Sequence, residues 1–115
     1  MQTKKSEIII VIPCYNEAGR LPRQAVMSYL SNSNGKVRLL LVNDGSTDTT
    51  GALIDEMAAE SQYIGVLHLA RNSGKAEAVR QGVLAALEEN PDYVGYWDAD
   101  LATPMSEIDN FLGYL

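Results

Sequence analysis

The 115-residue sequence predicts an α/β fold built on a mainly parallel sheet. Short apolar runs alternate with longer stretches of helical periodicity along the chain. The first run, "IIIVIP" at 8–13, is almost entirely β-branched, which is typical of a strand buried on both faces. The order strand, helix, strand, helix favours right-handed crossovers between parallel strands. The length fits one domain, so we treat residues 1–115 as a single unit.

Polar residues follow each of the four predicted strands. The strands, in chain order, are "IIIVIP" (8–13), "VRLLLV" (37–42), "YIGVLHL" (63–69) and "YVGYW" (93–97). The polar stretches at their ends are "PCYNE", "NDGSTD", "ARNSGK" and "DAD". Because parallel α/β sheets bind ligands beyond the carboxyl ends of their strands, we expect these stretches to gather along one edge.

The first two predicted helices differ in the strength of their pattern. The segment 18–33 is only weakly periodic. The second helix has candidate N-caps at Ser46, Thr47 or Asp48. Its apolar face consists of Leu53, Ile54, Met57 and Ala58.

Two more helices are predicted in the second half of the chain. The third, "GKAEAVRQGVLAALEEN", should bury a stripe made of Ala76, Val79, Val83 and Leu87. Asn90-Pro91-Asp92 ends that helix and turns the chain into the fourth strand. Thr103-Pro104 predicts an N-cap and first turn for a helix through 105–115.

The composition excludes several functional classes. The formal net charge is −6, the pI is near 4.6 and the nine Lys and Arg are scattered, so we expect no nucleic-acid partner. Cys14 is the single cysteine, which excludes an intrachain disulfide and suits a reducing, cytoplasmic compartment. No run approaches the ~20 apolar residues of a membrane span, and the N-terminus lacks a signal-peptide pattern.

Asp98 and Asp100 are the first candidate metal ligands. They are two residues apart at a strand end, where their carboxylates can converge on one ion. Carboxylate oxygens suit Mg²⁺ or Mn²⁺, which bind one or two carboxylates together with substrate phosphates. The alternative is a solvated loop with an N-cap role, because a short motif of this kind often occurs by chance.

Two other loops open helices and carry candidate ligand contacts. In "NDGSTD", turn and capping chemistry accounts for most residues, while Asp44 is open between a ligand contact and a turn role. In "RNSGK", two cations stand beside exposed backbone N–H groups, as suits a diphosphate. A solvated basic loop is the alternative. The loop does not match a Walker A motif, and no Gly-x-Gly-x-x-Gly indicates a dinucleotide site.

Four other residues with reactive or aromatic side chains are interpreted as structural. His68, the only histidine, is interpreted as a packed strand residue. Cys14 is interpreted as a small buried hydrophobe, because no histidine stands near it in sequence. Tyr96 and Trp97 are interpreted as core residues and not as a platform for a sugar.

The four motifs together resemble the family 2 inverting glycosyltransferases, which have the nucleotide-diphospho-sugar transferase (GT-A-like) fold. The matching stretches, which cover nearly the whole chain in order, are "VIPCYNEAGRLP", "LLLVNDGSTDTT", "LARNSGKAEAVRQG" and "WDADLATP". The variant "DADLATP" is most similar to the branch that glycosylates polyprenyl phosphates, the dolichyl-phosphate glucose and mannose synthases. We expect a three-layer α/β/α structure with strand order 3-2-1-4.

The resemblance implies a role for each matching position. Pro13, Tyr15 and Glu17 would lie at the base and ribose of a UDP- or GDP-linked sugar, and Asp44 would hydrogen-bond the base. Arg71, Asn72 and Lys75 would lie near the base or diphosphate. Asp98 would reach the ribose or metal-bound water, and Asp100 would bind Mg²⁺ or Mn²⁺ directly. The implied acceptor is a lipid phosphate.

Members of this family continue well past the Asp-Xaa-Asp motif, so the resemblance covers the N-terminal, nucleotide-binding portion of a longer, here truncated, domain. The acceptor side and any general base would come from the later part, and no catalytic base is assigned. Membrane association would also come only from downstream segments. We expect a homodimer or larger species that buries the segment around Phe111, Leu112, Tyr114 and Leu115 between chains, because a truncated domain exposes an apolar face.

Other functional classes fit the sequence less well. A receiver domain places an acidic pair after its first strand, whereas "PCYNE" has one acid. A nucleotidyltransferase of related fold has a glycine-rich loop there, which "PCYNEAGRLP" lacks. A glycosyltransferase of cell-surface polysaccharide synthesis and a non-catalytic nucleotide-binding fragment stay open as alternatives.

Overall fold

A computed structural model describes residues 7–33 and 35–99. Strands and helices alternate through this part of the chain. In order they are β1 (Ile8–Cys14), α1 (Arg23–Asn32), β2 (Val37–Asn43), α2 (Thr50–Glu60), β3 (Ile64–His68), α3 (Lys75–Leu87) and β4 (Tyr93–Tyr96). The four predicted strands and first three predicted helices are confirmed. The predicted helix at 105–115 and the expected dimer segment lie outside the described residues.

The sheet is parallel, with the order β3-β2-β1-β4 that we expected. Ile8 of β1 is opposite Val37 of β2 on one side and Tyr93 of β4 on the other. β1 is therefore central, and its residues Ile8–Ile12 are each at most 6% exposed. The β-branched run at 8–13 forms this strand because both of its faces are covered.

Helices cover both faces of the sheet, which gives the expected three layers. On one face, Ile10 and Ile12 of β1 lie in the same cluster as buried residues of α1 and α2, among them Val26 and Ile54. On the other face, Ile9 and Val11 pack with Val42 of β2 and with Ala78 and Ala86 of α3. Alternate side chains of β1 thus belong to two separate cores.

The predicted buried stripe of α3 is only partly right, because Val83 packs against the core but Ala76 and Leu87 do not face it. The residues of α3 that are buried are Ala78, Gly82 and Ala86, whereas Ala76 is exposed and Leu87 is 52% exposed. The helix lies so close to the sheet that a Cβ on Gly82 would be 2.5 Å from Val11 Cγ1. Small residues face the sheet because they permit this approach, and the larger apolar residues lie at the sides of the helix or point away.

The apolar face predicted for α2 is confirmed, but the predicted start is not. Ile54 and Met57 are fully buried, and Leu53 and Ala58 pack against the same core. The N-cap is Thr49, not Ser46, Thr47 or Asp48, and Thr49 makes no side-chain capping bond. Asp48 instead accepts hydrogen bonds from the backbone N–H and hydroxyl of Thr50.

Charged residues on the outside link neighbouring elements. Arg23, at the start of α1, forms ion pairs with Glu56 and Glu60 of α2. Arg38 of β2 forms ion pairs with Glu7 and Glu89 at the end of the sheet opposite the polar loops. Within 7–33 and 35–99, the helices are too short or too polar for any of them to span a bilayer.

Candidate functional site

A cavity of about 430 Å³ lies beyond the carboxyl ends of the strands. Loops after β1, β2, β3 and β4 all contribute to it, as expected from the parallel topology. Its lining residues are Pro13, Cys14, Tyr15, Glu17, Arg20, Asp44, Asn72, Gly74, Lys75, Asp98 and Ala99. The polar stretches that are far apart in sequence therefore meet at one site.

Most of the predicted site residues line this cavity. They are Pro13, Tyr15, Glu17, Asp44, Asn72, Lys75 and Asp98. Arg71 is exposed and is not among the lining residues, and Asp100 lies outside the described residues. The sequence did not indicate Arg20, although its place in "NEAGR", three residues after Glu17, is a spacing that permits an ion pair.

Asp44 is a buried carboxylate held by the loop that precedes α3. It is 2% exposed. The Ser73 N–H donates to Oδ1 at 2.7 Å and the Gly74 N–H donates to Oδ2 at 3.1 Å, with a weaker contact at 3.4 Å from Asn72 Nδ2. Donors of this kind compensate a buried charge for the loss of water.

These bonds correct one part of the sequence interpretation. The backbone N–H groups of "RNSGK" were expected to be exposed and free for a diphosphate, but those of Ser73 and Gly74 point to Asp44. A phosphate at this loop would therefore rely on cationic side chains such as Lys75, and not on these two N–H groups.

Gly45 permits the loops after β2 and β3 to touch. Its φ is +67°, in the left-handed region, and a Cβ there would lie 2.3 Å from the backbone nitrogen of Asn72. Any other residue would push the two loops apart. The close approach brings Asn72 and the start of α3 against the end of β2.

Glu17 and Arg20 form an ion pair on the wall contributed by the loop after β1. Arg20 Nη2 donates to Glu17 Oε1 at 3.2 Å, and Arg20 Nε lies 3.1 Å from Oε2. Glu17 Oε2 is buried, and the Arg20 contact is too poorly aligned to count as a hydrogen bond. Among the described residues this oxygen accepts no hydrogen bond, so it retains acceptor capacity for a hydroxyl or N–H of a ligand.

Lys75 connects α3 with the end of β4. Its ammonium group contacts the Asp98 carboxylate and lies 5.8 Å from the centroid of the Tyr96 ring. The Tyr96 side chain is 52% exposed, so the prediction that it belongs to the core is wrong. Trp97 does pack against the core shared by α1 and α2.

Of the two remaining residues interpreted as structural, Cys14 is buried as predicted and His68 is not. Cys14 is fully buried, and burial, with a smaller effect from the Glu17 charge, raises the pKa of its thiol to about 12. Its interpretation as an inert hydrophobe is confirmed. The interpretation of His68 as a packed residue is wrong, because its side chain is exposed. Its ring nitrogens contact polar side chains: Nε2 lies 2.9 Å from Asp55 Oδ1, and Nδ1 lies 3.0 Å from Asn43 Nδ2.

The sequence profile of Glycosyl transferase family 2 matches residues 9–115. The chain belongs to glycosyl transferase family 2. The resemblance seen in its motifs is thereby confirmed. The match includes every loop that lines the cavity.

Two curated relatives of this family 2 chain differ in what they synthesise. The poly-beta-1,6-N-acetyl-D-glucosamine synthase of Staphylococcus aureus (strain MSSA476) is 33% identical over 108 residues, which cover 90% of this chain and 25% of that protein. The polyprenol monophosphomannose synthase of Mycolicibacterium smegmatis is 31% identical over 105 residues, which cover 90% of this chain and 39% of that protein. The chain thus spans well under half the length of these relatives.

Solved structures show the same GT-A-like fold. The mannosyltransferase PcManGT from Pyrobaculum calidifontis, in complex with GDP-Man and Mn²⁺, superposes with a TM-score of 0.68 at 22% identity over 85% of this chain and 28% of that one. S. aureus TarS superposes with a TM-score of 0.67 at 18% identity over 82% of this chain and 16% of that one. At these identities the likeness concerns the fold alone.

The family 2 site has donor groups that suit a divalent cation. Residues 7–33 and 35–99 contain no cluster of three or more His, Cys, Asp or Glu side chains that could hold a metal by themselves. Asp98, however, is a half-exposed carboxylate on the cavity wall that already holds one cationic group, the Lys75 ammonium. A single carboxylate plus substrate phosphates is a donor set that Mg²⁺ and Mn²⁺ accept.

Proposed function

We propose that this chain forms the nucleotide-sugar-binding part of a metal-dependent inverting glycosyltransferase. The observation that carries the proposal is the cavity at the strand ends. It is lined by three carboxylates, each from a different loop, and by the Lys75 ammonium; the carboxylates are those of Glu17, Asp44 and Asp98. Such a set can bind hydroxyl and N–H donors at one end and a diphosphate with its cation at the other. The family membership supports a transferase reaction.

The proposed donor is a hexose linked to UDP or GDP, of the UDP-glucose or GDP-mannose type. Pro13, Tyr15 and Glu17 would contact the base and ribose, and the buried Glu17 Oε2 supplies an unused acceptor for such a contact. Asp44 and Asn72 would complete the base pocket. Arg71, whose side chain does not line the cavity, would lie near the base or diphosphate at the rim.

The proposed acceptor is a polyprenyl or dolichyl phosphate. The relative named polyprenol monophosphomannose synthase supports this choice. A phosphate oxygen is already anionic, so its attack needs no protein base. This fits a cavity whose described lining contains no histidine, while His68 is engaged with Asp55 and Asn43.

The proposed reaction is an in-line displacement with inversion. An acceptor oxygen forms a bond to the anomeric carbon while the bond from that carbon to the diphosphate oxygen breaks, and the electron pair leaves with the nucleoside diphosphate. Lys75 would stabilise the charge on this leaving group. Asp98, together with Asp100, would hold Mg²⁺ or Mn²⁺, which acts as a Lewis acid towards the diphosphate when bound.

A second candidate is synthesis of a cell-surface polysaccharide. The relative named poly-beta-1,6-N-acetyl-D-glucosamine synthase, at 33% identity, favours it. A sugar hydroxyl as acceptor would require a general base, and none is assigned in the described cavity. A transfer assay that compares a polyprenyl phosphate with an oligosaccharide acceptor distinguishes the two candidates.

The same proposal includes an expected compartment and an expected oligomeric state. The free, buried Cys14 suits a reducing compartment, so we place the reaction on the cytoplasmic side of a membrane. Self-association through the segment around Phe111, Leu112, Tyr114 and Leu115 is the other expectation. Light scattering tests it, and a monomer at high concentration would contradict it.

Calorimetric titration of the chain with UDP and GDP, with and without Mn²⁺, tests the proposed function. We expect saturable binding that Mn²⁺ strengthens at least tenfold. Asp98→Asn and Asp100→Asn should remove the metal-dependent part, since each replaces a carboxylate ligand. Glu88→Gln is the matched control, because Glu88 is an exposed acid after the end of α3, outside the cavity lining. Absence of saturable binding to either nucleotide would refute the proposal.

A further inference from the structure

Asn16 stands between two cavity residues, Tyr15 and Glu17, but does not itself line the cavity. Its φ is +50°, in the left-handed region that asparagine tolerates better than most residues. Nothing in the motif comparison gave this residue a role. Its hydrogen bonds within the described part of the chain are directed to the loop before α2.

Both the backbone and the side chain of Asn16 reach that loop. The Asn16 N–H donates to Ser46 Oγ at 3.0 Å. The side-chain carbonyl Oδ1 accepts from the N–H groups of Thr47 at 2.9 Å and Asp48 at 3.3 Å. Next to it, the Glu17 N–H donates to Thr50 Oγ1 at 2.9 Å. Hydrogen bonds in both directions therefore fasten the two loops together.

This arrangement orders the turn that leads into α2. The N-cap residue Thr49 makes no side-chain capping bond, and the first helical N–H, that of Thr50, donates to Asp48 Oδ1. Asn16 Oδ1 accepts from the N–H groups of Thr47 and Asp48, so it holds this turn from a different loop. In return, the loop that contains Tyr15 and Glu17 is held by Ser46 and by Thr50 at the start of α2.

We propose that Asn16 is a positioning residue for the donor site: it fastens the loop after β1 to the residues before α2 and so fixes Tyr15 and Glu17 against the ligand. The inference rests on the proposed function, in which these two neighbours contact the base and ribose. It assigns Asn16 no contact with the donor itself. We call the hydrogen bonds that Asn16 makes to Ser46, Thr47 and Asp48 the clamp. Loss of the clamp should therefore weaken binding of a nucleotide and leave binding of a diphosphate alone unchanged.

Asn16→Gly is the informative substitution, because glycine keeps the left-handed backbone and removes only the side-chain acceptor. Asn16→Asp keeps an acceptor oxygen and should rescue. Asn90→Gly is the matched control, since Asn90 also has a positive φ, +53°, but lies beyond α3. Ser46→Ala provides a milder variant, because it removes only the partner of the Asn16 N–H.

Amide hydrogen exchange tests the clamp without any ligand. In Asn16→Gly we expect the Thr47 and Asp48 amides to exchange roughly fivefold faster, as for loss of a hydrogen bond worth about 1 kcal/mol. Asn16→Asp should restore most of the protection, and Asn90→Gly should leave it unchanged. Unchanged exchange of both amides in Asn16→Gly would overturn the clamp. If the glycine variant does not fold, unchanged exchange of the Asn16 amide in Ser46→Ala would overturn it, because that variant removes the acceptor of the Asn16 N–H.

Titration with GDP, UDP and inorganic pyrophosphate, each with Mg²⁺, tests the positioning role. We expect the Kd of the better-binding nucleotide to rise roughly tenfold in Asn16→Gly and to recover in Asn16→Asp, with pyrophosphate binding unchanged throughout. Faster exchange with an unaltered nucleotide Kd would overturn the role. If the wild-type chain binds no nucleotide while the exchange result holds, the proposed function fails and the positioning role fails with it, but the clamp between the loops stands.

Discussion

At the scale of single residues, Asp44 illustrates how a buried charge organises the site. Its carboxylate is almost fully buried at the end of β2 and accepts two backbone N–H groups from the loop before α3. The sequence left Asp44 open between turn chemistry and ligand contact. The structure adds a third role, which is to join two strand ends, and no local pattern could have indicated it.

Asp44→Asn should destabilise the protein. An amide has one acceptor oxygen, so either the Ser73 or the Gly74 N–H would face the NH₂ group without an acceptor. We expect the free energy of unfolding, measured by urea denaturation, to fall by about 1–3 kcal/mol. Glu88→Gln, at an exposed position, should change it by less than ~0.5 kcal/mol. Equal stability of the two variants would contradict the role of Asp44 in joining the loops.

Cys14 gives the stability a dependence on alkaline pH. Its pKa in the folded chain is about 12, raised by burial from an ordinary value near 9. The thiol therefore ionises first in the unfolded chain. The stabilisation it provides is fully present below about pH 9 and is lost as the pH rises towards 12.

A comparison of Cys14→Ala with the wild type tests this pH dependence. Between pH 9 and pH 11 the free energy of unfolding of the wild type should fall more steeply, by up to about 1.4 kcal/mol per pH unit. The two proteins share every other ionisable group, so only the difference in slope is informative. Parallel slopes would show that Cys14 ionises as readily in the folded chain as in the unfolded one.

At the scale of elements, the sequence predicted strands better than helix faces. The run at 8–13 is β-branched except for Pro13, so both its strand character and its double-sided burial were evident. The face of α3 was not, because burial of Gly82 depends on how closely the helix approaches Val11 and Val42. A hydrophobicity pattern ranks glycine and alanine low and cannot report an interhelical or helix–sheet distance. The start of α2 was also misplaced: the N-cap is Thr49, while Asp48, a predicted cap, bonds to Thr50 from the turn before the helix.

Gly82→Ala should destabilise the protein although alanine favours helices. The gain in helix propensity is at most about 1 kcal/mol. Against it, the new methyl group would lie 2.5 Å from Val11 Cγ1 and 2.8 Å from Val42 Cγ2, and overpacking of this kind costs about 1–3 kcal/mol. Thermal denaturation of Gly82→Ala, Val11→Ala and the double variant measures the coupling.

The double variant identifies the cause of the destabilisation. Val11→Ala removes the nearest clashing atom, so the effect of Gly82→Ala should be smaller in the Val11→Ala background. Strictly additive effects would mean that the contact between α3 and β1 is looser than the structure has it.

At the scale of the whole molecule, parallel topology brings the four loops to one cavity, and this much was predictable. Every strand in a sheet of order β3-β2-β1-β4 delivers its carboxyl end to the same edge. What the sequence could not give is which groups satisfy one another there. The pairing of Glu17 with Arg20 and of Lys75 with Asp98 depends on side-chain positions set by the packed fold.

The proposed mechanism therefore depends on a competition at the cavity. In the described structure the Lys75 ammonium neutralises Asp98. A divalent cation and a diphosphate would replace this contact, with Asp98 turning to the cation and Lys75 to the phosphates. The ion pair is half exposed, so exchanging it costs little.

Paramagnetic broadening by Mn²⁺ tests this account most directly. The chain labelled with ¹⁵N is titrated with trace Mn²⁺ in the absence and in the presence of UDP or GDP, and the amide signals are followed residue by residue. The account predicts that one of the nucleotides will cause strong broadening at Lys75, Asp98 and Ala99, which line the cavity, and none at Glu88 or Asp92 at the other end of the molecule. Broadening that does not depend on nucleotide, or that centres away from the cavity, would contradict a metal-assisted nucleotide-sugar site at the strand ends.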